Sequence, residues 1–148
     1  MKIRFKKLDP KAVTPSYAKP GDAGLDLTAI THEYRENAAG RKLQVYGTGL
    51  AFEIPEGHVG LVFPRSSIFK TELSLANCVG VLDSGYRGEV KFNFVIHSGS
   101  RPTKDSTYQV GDRIGQLVII PIPQVELEEV TELTTTERGD GGYGSTGK

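Results

Sequence analysis

The sequence has no tryptophan, one cysteine, one methionine and no excess of either charge, 18 Lys plus Arg standing against 18 Asp plus Glu in 148 residues. Each shortage removes a class of protein. Cys78 alone cannot close an internal disulfide, which excludes a small scaffold stapled by such bonds. Balanced charge gives no global field to hold a long polyanion through counterion release, so direct nucleic-acid binding is not expected. No stretch approaches the roughly 18 apolar residues of a membrane-spanning helix, and the start, MKIRFKKLDP, lacks the apolar run of a signal peptide. No period of about 20 to 50 residues marks a solenoid. The expectation is a soluble, cytoplasmic chain without a membrane partner. Chemistry is narrowed in the same way. No Gly-x-Ser-x-Gly elbow is present, nothing pairs Cys78 with a histidine, and His32, His58 and His97 are not spaced as a metal set, so covalent catalysis and structural zinc are disfavoured.

What is plentiful is glycine, 18 residues, which with eight prolines punctuates short apolar runs at close spacing. That is the pattern of an all-β sandwich or barrel. The clearest strand is GEVKFNFVIH, where Val90, Phe92, Phe94 and Ile96 fall on one face and Lys91, Asn93 and Val95 on the other. Further strands are expected over 2–5, 25–30, 43–54 with an interruption at Gly47-Thr48-Gly49, 58–63, 114–122 and, as a last strand, 125–133. One short helical turn is expected after Pro64-Arg65-Ser66-Ser67, with a serine as N-cap and 68–73 free of breakers. Residues 98–107 are polar, contain Pro102 and read as a surface loop. Residues 1–133 form the expected folded domain. The tail, 134–148, has five glycines in RGDGGYGSTGK and only Tyr143 as an apolar side chain, so it cannot fold against a core alone.

The segment Asn77-Cys78-Val79-Gly80-Val81-Leu82-Asp83-Ser84-Gly85-Tyr86-Arg87 runs from an apolar strand end into a tight turn. Locally, Asp-Ser-Gly is first of all ordinary hairpin chemistry. Its functional reading is that Asp83, ionised at neutral pH, takes a proton from a water placed against an electrophile. Two segments suit phosphate. In Pro64-Arg65-Ser66-Ser67, backbone N–H groups, hydroxyls and a guanidinium can converge on an anion, the alternative being a helix cap with a surface arginine. In the tail, Arg138 and the glycines that follow allow close backbone approach to phosphate oxygens, or equally a disordered terminus. Residues 142–148 spell GxxxxGK, but no Ser or Thr and no helix follows, so a P-loop is rejected. The tripeptide Arg138-Gly139-Asp140 is not read as an adhesion motif in a chain without a secretion signal. Asp26, a carboxylate inside the apolar run AGLDL, suits a strand start or an outer-sphere ligand of a hard cation. In GDRIGQL, Asp112 reads as a turn residue, and Gln116 can face core or ligand.

Weak singly, these segments in this order resemble the five motifs of the trimeric dUTPase family: AGLDL (23–27), PRSS (64–67), GVLDSGYRGE (80–89), GDRIGQL (111–117) and RGDGGYGSTG (138–147). The resemblance implies a jelly-roll-like all-β subunit in a homotrimer, with active sites shared between subunits and Mg2+ carried by the triphosphate. It implies hydrolysis of dUTP to dUMP and pyrophosphate, which limits uracil incorporation into DNA. Asp83 would be the general base for water attacking the α-phosphorus and Arg65 would orient the site. Tyr86 would pack beneath the deoxyribose, leaving no room for a 2′-hydroxyl. Gly80, Val81 and Leu82 would match the uracil edge through their backbone, with Asn77 and Lys91 nearby. Ser66, Ser67 and Gln116 would bind the inner phosphates, Arg138, Gly144 and Ser145 the outer ones. Tyr143 would stack on uracil, Asp26 would hold Mg2+ through water, and 134–148 would be a lid over a neighbour's nucleotide.

The chain departs from the family's usual pattern at Ser67, where glycine is frequent, at Tyr143, where Phe or His is usual, and at Cys78, where another small residue is commoner. Each change is chemically compatible, since Ser67 still donates and Tyr143 still offers a stacking face. The rival readings are a dCTP deaminase of the same fold, whose site depends on a glutamate after the arginine-serine motif, and a dUTP-binding regulator without turnover. The aspartate-to-tyrosine turn, which the deaminase lacks, argues against the first, and intact Asp83 with a complete tail argues against the second. A ligand-free structural protein is the blandest reading, and five motifs in order speak against it.

Overall fold

Phe92 and Phe94 are fully buried while Lys91 and Asn93 are exposed, so the period-two reading of this strand holds. The structure, a computed structural model, describes residues 1–38, 40–97, 103 and 106–142. It contains strands β1 (Arg4–Lys7), β2 (Leu25–Thr28), β3 (Thr31–Glu36), β4 (Lys42–Gly47), β5 (Leu50–Glu53) and β6 (His58–Pro64). A 3-10 turn, η1 (Ser66–Lys70), precedes β7 (Leu73–Leu75), β8 (Gly80–Leu82), β9 (Lys91–Ile96) and β10 (Arg113–Pro121). The all-β expectation with one short helical turn is met. Two four-stranded antiparallel sheets, ordered β2-β10-β6-β8 and β3-β4-β9-β7, accompany a β1-β5 pair. Among the described residues no helix is long and apolar enough to cross a membrane.

The core lies where the sheets' inward faces meet, around Leu27, Tyr46, Leu50, Phe92, Phe94, Ile114 and Leu117, and each Phe or Leu there contributes about 1.5–3 kcal/mol through burial. Tyr46 is buried among them. Its hydroxyl lies 2.6 Å from the Gln44 amide and 2.8 Å from the Tyr108 carbonyl. The hydroxyl shares its one proton between these two acceptors, Gln44 Oε1 and the Tyr108 carbonyl oxygen. Burial, aided by nearby Tyr34, Asp112 and Tyr108, raises the Tyr46 pKa well above that of free tyrosine and keeps it a neutral donor. Gly115 marks the tightest packing between the sheets. A Cβ there would stand 2.0 Å from Phe92 Cε1 and 2.8 Å from the Phe63 carbonyl oxygen. Gly115→Ala is therefore expected to cost about 1–3 kcal/mol through overpacking, read as a lower urea midpoint. An unchanged midpoint would mean that the Phe92 ring can step aside.

Several expectations need correction. The helical turn begins at Ser66, its N-cap is Arg65, and no side chain caps it. A serine cannot serve as N-cap here because both serines already lie inside the first turn. The run 25–30 ends as a strand at Thr28, and β3 and β7 were not anticipated, since β3 is mostly polar and exposed and β7 has only three residues. Thr48 and Gly49 do interrupt 43–54, giving β4 and β5. The strand expected over 125–133 does not form. Val125, Leu127 and Leu133 are 74%, 91% and 86% exposed, and the segment pairs with none of the described strands, without which an isolated strand is not stable. Most of the loop expected over 98–107 lies outside the described residues.

Candidate functional site

Strand β8 feeds Asp83 into a turn closed by the Tyr86 N–H donating to the Asp83 carbonyl at 3.0 Å. The turn is stiffened from both sides. Arg87 Nη1 donates to the carbonyls of Ser84 at 2.6 Å and Tyr86 at 2.9 Å, and the Tyr86 hydroxyl donates to the Glu89 carbonyl at 3.1 Å. The Tyr86 ring rests against Gly88, where a Cβ would stand 2.4 Å from the hydroxyl oxygen, so only glycine lets it lie there. Tyr86 nevertheless stays 45% exposed, leaving ring surface for a ligand. The turn opens into a cleft of about 550 Å3 that gathers Asn77, Gly80, Val81, Leu82, Asp83, Tyr86 and Lys91. All seven were expected at one site. A cleft of this size suits a nucleoside, and all three residues of β8, the last strand of its sheet, line it.

Glu89 and Asn93 also line this cleft and were missed. Glu89 Oε1 accepts from the Gly49 N–H at 2.9 Å and Glu89 Oε2 pairs with Lys91 Nζ at 3.2 Å, so Lys91 is anchored beside the cleft. Asn93 stands two residues beyond Lys91 on the same face of β9, a relation that strand periodicity already contained.

The phosphate candidates gather elsewhere. Asp26 on β2 pairs across β10 with Gln116, which in turn lies opposite Phe63 on β6. The Asp26 side chain is 5% exposed and doubly paired: Arg65 Nε donates to Oδ1 at 3.1 Å and Arg113 Nη1 donates to Oδ2 at 2.8 Å. Gln116 Nε2 adds a weaker contact to Oδ1 at 3.4 Å. A buried carboxylate with two guanidiniums is compensated for its desolvation, and the pairing holds Arg65 in place with part of its donor fork still open to solvent. Arg113 was missed as a member of this cluster, although it lies within the GDRIGQL motif. Ser66 is exposed and Ser67 half-buried at the start of η1, directly after Arg65. Asp112 is the turn residue expected, its carboxylate accepting from the Gln109 N–H at 2.7 Å.

Among the described residues no three His, Cys, Asp or Glu side chains converge to hold a metal ion. Asp26 is the carboxylate nearest the arginine-serine turn, and its pairing leaves it capacity for a metal-bound water but not for direct ligation. This donor set fits Mg2+ only as an ion whose other ligands are phosphates and waters.

Register separates the two groups. Gly60 of β6 faces Leu82 of β8, so Asp83 stands level with Val59, and Arg65 lies six residues further on, just past the end of β6. At strand rise this is about 20 Å. Within one chain the structure brings together the Asp83 group, and separately Arg65, Ser66, Ser67, Gln116 and Asp26, but does not join them. Arg138 is far along the tail, its Nε donating to the Gly141 carbonyl at 3.1 Å. Tyr143, Gly144 and Ser145 lie outside the described residues.

The family model described as dUTPase matches residues 10–147. The chain is 45% identical to a deoxyuridine 5'-triphosphate nucleotidohydrolase of Corynebacterium glutamicum, over 99% of this chain and 95% of that protein. It is 42% identical to the enzyme of the same name from Nautilia profundicola, over 100% of both. Among solved structures, the dUTPase of Staphylococcus bacteriophage 80alpha with dUpNHpp superposes with a TM-score of 0.80 at 31% identity, over 99% of each chain. The dUTPase of phage phi11 of S. aureus, described with a coordinated structural Mg(II) ion, superposes with a TM-score of 0.71 at 29% identity, over 89% of this chain and 98% of that one. With a family model spanning nearly all of its length and full-length relatives above 40% identity, the chain belongs to the dUTPase family.

Proposed function

We propose that this protein hydrolyses dUTP to dUMP and pyrophosphate, Asp83 taking a proton from the water that attacks the α-phosphorus. The observation that carries the reading is the single cleft lined by Asp83, Tyr86, Asn77 and the three residues of β8. Uracil bonds to the backbone of Gly80, Val81 and Leu82 and to Asn77. Tyr86 lies beneath the deoxyribose and excludes a 2′-hydroxyl, because a flat ring in contact with C2′ leaves no space for another oxygen. Lys91, held by Glu89, borders the base. The water oxygen forms its bond to the α-phosphorus as the bond to the bridging oxygen breaks, and pyrophosphate leaves. Asp83 keeps the attacking oxygen nucleophilic by removing its proton.

Arg65, Ser66, Ser67 and Gln116 bind the inner phosphates, where charge builds up as the bond breaks, and Asp26 sets the Arg65 guanidinium in its orientation. Mg2+ brought by the triphosphate, touching Asp26 through water, would supply further charge neutralisation there. Arg138, Gly144 and Ser145 bind the outer phosphates and Tyr143 stacks on uracil, as residues 134–148 close as a lid.

The separation of about 20 Å along β6 supports an active site built from more than one copy of the chain, since a general base must come within hydrogen-bond reach of its water. A homotrimer meets this need. It also gives the exposed Val125, Leu127, Val130 and Leu133 a neighbouring chain to cover them. The test is pyrophosphate release from dUTP, dTTP, dCTP and UTP at equal concentration. Turnover of dUTP at least about 10²-fold faster than of the other three is expected, because both the base edge and the sugar are read by close contact. Ammonia release from dCTP, or no release from any of the four, would overturn the reading.

A further inference from the structure

The bend Gly47-Thr48-Gly49, which separates β4 from β5, is buried against the segment that leaves the Asp83 turn. The Thr48 N–H and hydroxyl both donate to the Val90 carbonyl, at 3.3 and 2.7 Å, and the Val90 N–H donates to the Leu50 carbonyl at 2.8 Å. That N–H belongs to the same peptide unit as the Glu89 carbonyl, which accepts from the Tyr86 hydroxyl at 3.1 Å. One peptide thus has the buried bend on its N–H side and the cleft tyrosine on its carbonyl side. Held by a single hydrogen bond, it could still rock about that bond. A second attachment opposes the motion. Glu89 Oε1 accepts from the Gly49 N–H at 2.9 Å, while Oε2 pairs with Lys91. The bend is shaped to receive this carboxylate. Gly49 has φ 65°, where a side chain is strained, and a Cβ at Gly47 would stand 2.6 Å from Glu89 Oε1.

We propose that Glu89 is a positioning residue for sugar selection: its carboxylate, docked on the Gly47-Thr48-Gly49 bend, fixes the peptide that anchors the Tyr86 hydroxyl and so stops the ring from yielding to a 2′-hydroxyl. This role presupposes the proposed place of Tyr86 beneath the deoxyribose. A steric filter selects only as well as its wall resists displacement. Tyr86 is 45% exposed on a hairpin turn, so its surroundings leave the ring room to swing, and the hydroxyl bond opposes that swing. Ribose enters when the bond is given up, and one net hydrogen bond corresponds to about 2- to 10-fold in discrimination. Glu89 acts through Tyr86 and is not required to touch the nucleotide.

The test is kcat/KM for dUTP and for UTP, read as pyrophosphate release, in Glu89→Ala, Glu89→Gln, Tyr86→Phe and Tyr86→Ala. Glu89→Ala is expected to lower the dUTP-to-UTP ratio about 3- to 10-fold. Glu89→Gln also gives up the charge pairing with Lys91, but its amide oxygen still accepts from the Gly49 N–H, so the ratio should stay within about twofold of wild type. Tyr86→Phe removes the other end of the same link. Because that hydroxyl belongs to an exposed side chain, the variant should fold and lower the ratio to a similar degree, whether or not Glu89→Ala folds. Combining the two should lower it no further. A merely structural role for Glu89 predicts that dUTP and UTP turnover fall together at an unchanged ratio. That result overturns the inference, as do an equal loss of selectivity in Glu89→Gln, an unchanged ratio in Tyr86→Phe, or additive effects. Tyr86→Ala distinguishes the two levels. An unchanged ratio there removes Tyr86 from sugar selection and overturns both; a ratio lowered there alone overturns only the role of Glu89.

Discussion

Asp83→Asn is expected to lower kcat for dUTP hydrolysis by about 10² to 10⁴ and to change the Kd of a non-hydrolysable analogue by less than about threefold. The amide has the same shape as the carboxylate but cannot accept a proton from water. The hairpin should survive the change, since its closing bond runs from the Tyr86 N–H to the Asp83 carbonyl and its bracing runs from Arg87 to two further carbonyls. Binding should not suffer either, because the substitution removes a negative charge beside a polyanion. Single-turnover measurements separate the effect from product release. Near-normal turnover in this variant would remove Asp83 from the chemistry and with it the mechanism proposed.

The second large effect comes from mixing two inactive proteins. Asp83→Asn and Arg65→Ala are each expected to inactivate the protein, although strand register sets the two residues about 20 Å apart in one chain. If each site takes Asp83 from one subunit and Arg65 from another, co-refolding equal amounts should restore up to about a quarter of wild-type activity, the fraction of sites that draw an intact copy of each. The expected recovery is the same for any ring in which two neighbours share a site, so it tests sharing and not stoichiometry, which sedimentation equilibrium would read. A mixture as inactive as its components would mean that each site is complete within one chain, and that Arg65 serves only as a partner for Asp26. Arg65→Ala leaves Asp26 paired to Arg113, so the variant should fold.

The alternation of β9 could be read directly, because side-chain direction in a strand is a local property of the backbone and the apolar residues obey it. The interruption at Thr48-Gly49 was equally visible. The polar strand β3 was not, since its residues carry no apolar period and it is defined by pairing with β4 alone. The mistaken strand over 125–133 failed for the opposite reason. Its apolar residues are real, but a strand requires an edge, and sequence does not say whether the edge belongs to the same chain.

At the site, the five motifs marked nearly every residue that the structure later grouped, yet gave no sign of how they divide. Asp83 by local sequence is a turn residue, and the turn is what the structure contains. Its placement in a cleft with Asn77 and Tyr86 follows from the β6-β8 register. Asp26 read as a strand start or an outer-sphere ligand of a cation, and only the β2-β10-β6 order brings Arg65 and Arg113 onto it. Glu89 had no motif meaning beyond its segment, because a salt-bridged cleft wall is a property of packing.

The sequence by itself determined the all-β class, the family, the turn that presents Asp83 and the residue types suited to phosphate. Those depend on composition, period and short-range order along the chain. Only the tertiary structure decided which of these residues share a surface, since strand register sets distances that the chain's order does not encode. It put Asp83 level with the start of β6 and Arg65 just past its end, so that the residues of one list of motifs fall into two separate groups.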